Sequence, residues 1–420
     1  MSLSAVLLLL LHLTVCNSQN ISFFLSKLDL GFVGAINFYT KEKYVNDSSS
    51  LTVRLMWNSQ YCTLDFSFGC QESSCGYVSA LIRTVGQEVS GEWCQNELRF
   101  VLPSPINAVG SLSIPSFNWV SGIKNNIGSW VTAVAFDLRN RSDTRKENSS
   151  PQSTVIPFVR VPSNCRRDFS PLMFDPDGDQ VKCRYGNSSL SECNACDPPS
   201  VLSLSSSNCT LSFSPTADSN QGRYGVQLLM EDFPIKNINM TSADGNKTIK
   251  TPNDALSLVP IQFVLIVDPQ VSSCTEGDFL PKFLPPTPAN RARLYTPVNK
   301  TLEISISAEA KNSMISELLF SGPYDAIQNK TGTGTFTLRW TPSKSQDNDT
   351  LPFCFVVQAL SKETKYHSDL RCVSVTVGNA PVNSVPVNSV PVNSAPASAS
   401  AFVLVMGSFL STLILAFPSI

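Results

Sequence analysis

The sequence predicts an all-β chain of tandem disulfide-bonded β-sandwich modules followed by a Pro-rich stalk. Period-two alternation of apolar and polar residues recurs along the 420 residues, and long helical periodicity does not. Gly, Pro, Asn, Asp and Ser punctuate the gaps, and 28 prolines suit strand edges and turns. Cysteine is abundant, at 13, and clustered; in an exported chain that reads as a framework of cross-links.

Taken in order, Ala5 to Val15 is a run of Leu, Val and Ala with a single His, ending in Cys16-Asn17-Ser18. It is too short to cross a hydrocarbon layer of about 30 Å and suits a secretory h-region. Residues 1–18 are therefore expected to be a signal peptide, cut before Gln19.

Residues 19–153 read as an N-terminal β-sandwich. Leu51, Val53, Leu55 and Trp57 alternate with Thr52, Arg54 and Met56. Cys62, Leu64, Phe66 and Phe68 form a second alternation, and Trp130, Thr132, Val134, Phe136 and Leu138 a third. The polar stretch Asn140 to Ser153 reads as a linker. Residues 154–272 form a middle module that closes on Ile261, Phe263, Leu265 and Val267. Residues 273–379 form a C-terminal module, with apolar alternation at Leu302, Ile304, Ile306, then Phe336, Leu338, Trp340, then Phe353, Phe355, Val357, then Val373, Val375, Val377. Several short strands at this spacing imply sandwiches with Greek-key links.

Residues 380–400 are a Pro/Ser/Asn-rich stalk and spacer: Val382-Asn-Ser-Val-Pro recurs at Val387 and, with Ala for Val, at Val392. Such a repeat buries no core. Phe402 to Phe417 is almost wholly apolar with no Lys or Arg after it, and the nearest basic residue upstream is Arg371. A retained span usually carries a basic cytoplasmic flank. Residues 401–420 are therefore expected to be a cleaved glycosylphosphatidylinositol (GPI) attachment signal, with attachment at Asn393 or Asn388. A retained tail would instead make a single-pass receptor.

Removal of Cys16 leaves twelve cysteines. Cys62, Cys70, Cys75 and Cys94 are expected to close on themselves. Cys165, Cys183, Cys193, Cys196 and Cys209 are odd in number, as are Cys274, Cys354 and Cys372. Cys354 and Cys372 face each other at strand ends and are the favoured pair, which sends Cys274 back into the middle cluster. Cys193 and Cys196 form a CxxC that reads as a structural disulfide rather than a zinc or redox site. Sequons stand at Asn20, Asn46, Asn140, Asn148, Asn187, Asn208, Asn239, Asn246, Asn299, Asn329 and Asn348, each implying a loop that faces solvent.

Lys plus Arg is 31 against 33 for Asp plus Glu, so no basic stripe suits a nucleic acid. His12 and His367 are the only histidines. No Ser-His-Asp or Cys-His constellation is available except around His367, which reads as a solvated residue in a polar loop; the chain is expected not to be an enzyme. Carboxylate-only hydrolysis needs no His but lacks a recognisable acid pair. One constellation suits a hard cation. Asp175, Asp177 and Asp179 alternate in Asp175-Pro-Asp-Gly-Asp179, and Glu231-Asp232 follows a strand that could lie beside them. Calcium takes such oxygen ligands, so calcium is the one cofactor expected, against the alternative of a plain Asp-Gly turn.

Asp137 to Thr144, Asn148 to Pro151, Val159 to Pro162 with Cys165, Asp175 to Cys183, Cys193/Cys196, Glu231 to Phe233 and Trp340 to Pro342 together resemble multidomain animal extracellular proteins with Ig-like or cadherin-like β-sandwich ectodomains. The resemblance implies an ectodomain architecture and no catalytic activity. The expectation is a GPI-anchored glycoprotein on the outer face of the plasma membrane, binding an extracellular protein or glycan. A structural coat or matrix role is the alternative.

Overall fold

The computed structural model describes residues 18–26, 31–43, 49–60, 62, 67–70, 81–103 and 109–380. The expected signal peptide up to residue 17, the stalk and tail from residue 381 with Asn388 and Asn393, and also Asn46 and Cys75, lie outside the described residues. Among the described residues there is no α-helix; strands are joined by turns and by the short 3-10 segments Ser188–Leu190, Asp218–Asn220 and Lys344–Gln346.

The C-terminal segment is the plainest sandwich. One sheet runs Lys282–Leu284, Leu302–Glu309, Thr335–Trp340, Ile327–Gly332; the other runs Arg293–Thr296, Arg371–Val377, Thr350–Ser361, Met314–Ser321. Alternation buries Phe336, Leu338 and Trp340 from one face against Phe353, Phe355 and Val373 from the other. The rings of Trp340 and Phe353 meet edge-on at 5.8 Å. Truncating either ring would cost about 3–5 kcal/mol by opening a cavity that close-packed neighbours cannot refill.

In the N-terminal segment, Phe32–Lys43 pairs with Ser49–Ser59, which pairs with Cys94–Pro103. Phe32 stacks on Trp130 at 4.1 Å and meets Trp57 and Trp119 edge-on at 5.1 and 4.8 Å. The middle segment is hydrogen-bonded to it. Ser257–Asp268 is paired along one edge by Gly222–Phe233 and also pairs Phe158–Pro162, Ala135 and Ile36. The two segments thus share one sheet. Gly34 is the point of closest approach: at φ 146° a Cβ there would lie 2.0 Å from the Gln262 carbonyl oxygen, so only glycine fits.

The stretch 140–153 corrects the expectation of a solvated linker. Arg141, Asn148, Ser150 and Ser153 are each at most 2% exposed. The polarity of Arg141, Asn148 and Ser150 is spent on partners inside the fold: the Ser150 hydroxyl, for example, donates to the Tyr39 carbonyl and accepts from the Tyr39 N–H.

Disulfides join Cys62–Cys94, Cys165–Cys274, Cys183–Cys209, Cys193–Cys196 and Cys354–Cys372. Cys165–Cys274 ties the start of the middle segment to the start of the C-terminal one. Cys354–Cys372 links directly opposed residues of neighbouring strands.

Candidate functional site

Asp175 to Gly178 is a β-turn, closed by the Gly178 N–H on the Asp175 carbonyl at 3.2 Å, with Gly178 at φ 87°. It is not a hairpin tip, because the flanking strands pair elsewhere: Met173–Phe174 with Gln152–Ser153, and Gln180–Tyr185 with Gly222–Phe233. The turn therefore sits where 140–153, the Gly222–Phe233 strand and the Asp run converge. Ligand atoms of Asp175, Asp179 and Asp232 lie within 4.8 Å of one another.

Arg141 is the cation of this site. It is 2% exposed and its Nη2 donates to Asp143 and Asp179, each at 2.8 Å, while Nη1 donates to Asn148 Oδ1 at 2.6 Å and to the second oxygen of Asp179. Asp177 lies 3.7 Å from the same guanidinium and accepts from the Ser149 N–H at 2.7 Å. Asp232 is fully buried; Asn148 Nδ2 donates to one oxygen at 2.7 Å, and the Ser257 N–H donates to the other at 2.8 Å. Asp175 is less satisfied. One oxygen accepts from the N–H groups of Asp177 and Asp179 at 2.8 and 3.3 Å, whereas the other is shielded from solvent with no donor among the described residues.

Among the described residues neither Asp175 nor Asp232 touches a cation, so their charge stands uncompensated in a low-dielectric setting. Burial, then the neighbouring Asp232, Asp179 and Asp177 carboxylates, push Asp175 up to about 8. Burial likewise lifts Asp232 to about 6 against its hydrogen bonds from Ser257 and Asn148. The Tyr39 hydroxyl is fully buried beside Asp232, and burial followed by the Asp232 charge raises it well above the ordinary phenol range.

Glu231 is corrected. It points to the opposite face of its strand from Asp232, as neighbours on a strand must, and pairs with Arg184 at 3.0 Å. The expectation that Asn148 faces solvent is corrected too: it is 2% exposed and its amide is committed to Asp232 and the Ser149 carbonyl. Asn140, Asn187, Asn208, Asn239, Asn246, Asn299, Asn329 and Asn348 are exposed; Asn20 lies in the strand Ser18–Ser26.

His367 is also corrected, from solvated loop to 3% exposed at the end of Thr364–His367. Its Nε2 hydrogen-bonds Gln358 Oε1 at 3.0 Å, and its Nδ1 has no partner among the described residues. Burial, then the Arg160, Lys365 and Arg167 charges, hold it well below the ordinary imidazole value. It belongs to a polar junction that sequence reasoning missed. Lys365 pairs with Glu88 and Glu92 at 2.5 and 3.1 Å, and Arg160 bridges Glu92 and Asp268 at 2.6 and 2.9 Å. Gln358 donates to both Glu88 and Glu317 at 3.0 Å. These residues come from all three segments, so no short-range spacing signals them.

No protein-family model matches the chain. It is similar to Integrin beta-like protein A of Dictyostelium discoideum, 27% identical over 219 residues, covering 48% of this chain and 10% of that protein. The chain thus spans about a tenth of the length of the relative it matches. Among solved structures it is similar to human protocadherin-24 EC1-2, with TM-score 0.18, 12% identity, and coverage of 56% of this chain and 100% of that one. It is also similar to the tandem Ig repeats of Dlar, with TM-score 0.21, 12% identity, and coverage of 54% and 97%. Scores of that size carry no argument about topology, and the all-β assignment rests on the strands themselves. Animal origin is not carried by these likenesses.

Proposed function

We propose that the chain is an exported glycoprotein acting in recognition or adhesion at the cell surface, without catalysis, and carried on the Pro-rich stalk by a GPI anchor at Asn393 or Asn388. The observation that carries this reading is the combination, in one all-β body, of disulfides in every segment with exposed sequons spread over the surface. The likeness to an integrin beta-like protein supports an adhesion-type role. Its partner would be an extracellular protein or glycan. Non-adherent cells expressing the full chain should cluster or capture partner cells more than untransfected cells; equal clustering with the chain present at the surface would favour the coat or matrix role.

We also propose a second reading, that Asp175, Asp179 and Asp232 hold a calcium ion, with Asp177 beside it. Calcium–oxygen distances of about 2.3–2.6 Å place two ligands of one ion no more than about 5 Å apart, as the three carboxylates are. The donor-free oxygen of Asp175 favours this reading. Millimolar calcium should raise the melting temperature and a chelator reverse it, with D175N losing the response; an unchanged melting temperature would refute it.

A further inference from the structure

A groove of about 530 Å³ lies between the middle and C-terminal segments, in the size range of small-molecule sites. Its floor is one end of a sheet face that further along, at Cys354 and Gln358, is buried against Thr154 and Glu88. Arg293 stands opposite Ser374, and Tyr295 opposite Thr376, in the parallel pair Arg293–Thr296 and Arg371–Val377. Thr350 continues the row, its hydroxyl 2.9 Å from that of Thr376. The result is a guanidinium, a phenol ring and a ladder of hydroxyls, where the other face of this sheet is apolar. The opposite wall supplies Leu172, Met173 and Val181. Hydroxyl donors and acceptors beside an aromatic ring and an apolar strip match a saccharide, which presents hydroxyls at its rim and C–H groups on its faces.

The lining of the groove includes Asn208. This asparagine is exposed and firmly placed. Cys183–Cys209 anchors its neighbour, the Cys183 N–H donates to the Ser206 carbonyl at 3.1 Å, and Asn208 Oδ1 accepts from the Thr210 N–H at 3.2 Å. Its Nδ2, the atom that bears an N-glycan, makes no hydrogen bond among the described residues.

We propose that this groove seats the chain's own N-glycan on Asn208, packed against Arg293 and Tyr295. The inference rests on the export reading given above. A tethered sugar meets the groove at high effective concentration, so contacts too weak to capture a free saccharide suffice. The adjoining groove, which shares Phe174, Asp175 and Thr350, has the sequon Asn348 in its lining. Glycans would thereby cover this side of the molecule, and a protein partner would bind elsewhere.

The test uses the full chain expressed through a secretory pathway. Glycopeptide mapping should find the Asn208 glycan less processed than the one on Asn246, at a remote turn, because a seated sugar resists trimming enzymes. R293A/Y295A should raise processing at Asn208 to the level at Asn246. N208D keeps the acceptor for Thr210 and removes the sequon; it should speed amide exchange across 291–296 several-fold, while N246D leaves it unchanged. Equal processing at both sites with no exchange difference would overturn the proposal. So would an empty Asn208 beside an occupied Asn246, or specific binding of a free oligosaccharide to N208D, which would assign the groove to a foreign glycan. If no sequon is occupied, the export reading fails and this inference falls with it.

Discussion

Lys365 Nζ reaches Glu88 Oε1 at 2.5 Å across 277 positions of sequence, with the Glu88 side chain 1% exposed. This pair fastens the C-terminal segment to the N-terminal one, and it is buried enough that its loss cannot be absorbed by water. K365M leaves Glu88 with only the Gln358 amide, and should destabilise by about 3 kcal/mol because an uncompensated buried charge remains. E88L/K365M should recover most of that loss. Urea unfolding of the single and double variants measures the coupling; additive losses would contradict it.

The same junction sets a pH dependence. His367 is held neutral, so its contribution is present above its ordinary value of about 6.5 and is lost as pH falls and the unfolded chain takes up a proton. Asp268, lifted to about 6 chiefly by burial, works oppositely: its contribution is full at low pH and is lost as pH rises through about 6. Glu88, Glu92, Glu317, Arg160 and Lys365 face the same space and are common to both proteins in a comparison with H367Q. Below pH 6.5 the wild type should lose stability faster than H367Q, by up to about 1.4 kcal/mol per pH unit. Parallel curves would contradict the buried neutral imidazole.

The cross-links should differ in weight. Cys165–Cys274 closes a loop with separation 109, and Cys193–Cys196 one with separation 3. Chain entropy assigns about 5 kcal/mol to the first and about 2 kcal/mol to the second. Paired Cys→Ala variants compared by denaturant midpoint should rank in that order.

Asn148 should carry no glycan although it stands in a sequon, whereas Asn140 should carry one. N148A removes the bridge between Arg141 and Asp232 and should cost about 2–3 kcal/mol, since both charged partners lose a buried hydrogen bond. Site-resolved glycopeptide occupancy and thermal unfolding check the two halves separately.

Much of the fold was legible because alternation is a local signal. Phe336, Leu338 and Trp340 announce their strand and its buried face from spacing alone, and the five-residue Asp run announces a concentrated charge. What was not legible depended on contacts between distant segments. Polar residues at 140–153 read as a linker because sequence composition does not reveal that Arg141 and Asn148 find partners in Asp179 and Asp232. His367 read as solvated for the same reason: its polar neighbours face Glu88 and Arg160, not water. Glu231 could have been excluded beforehand, since two successive strand residues do not share a face.

The central claim is a surface glycoprotein that acts by binding, held only through a lipid anchor. The most direct measurement is treatment of clustered cells expressing the full chain, tagged just after residue 19, with phosphatidylinositol-specific phospholipase C. The account predicts release of the tagged body into the medium together with loss of clustering. Retention of the tag on cells that stay clustered would contradict the anchor, and release without any change in clustering would contradict the adhesive role.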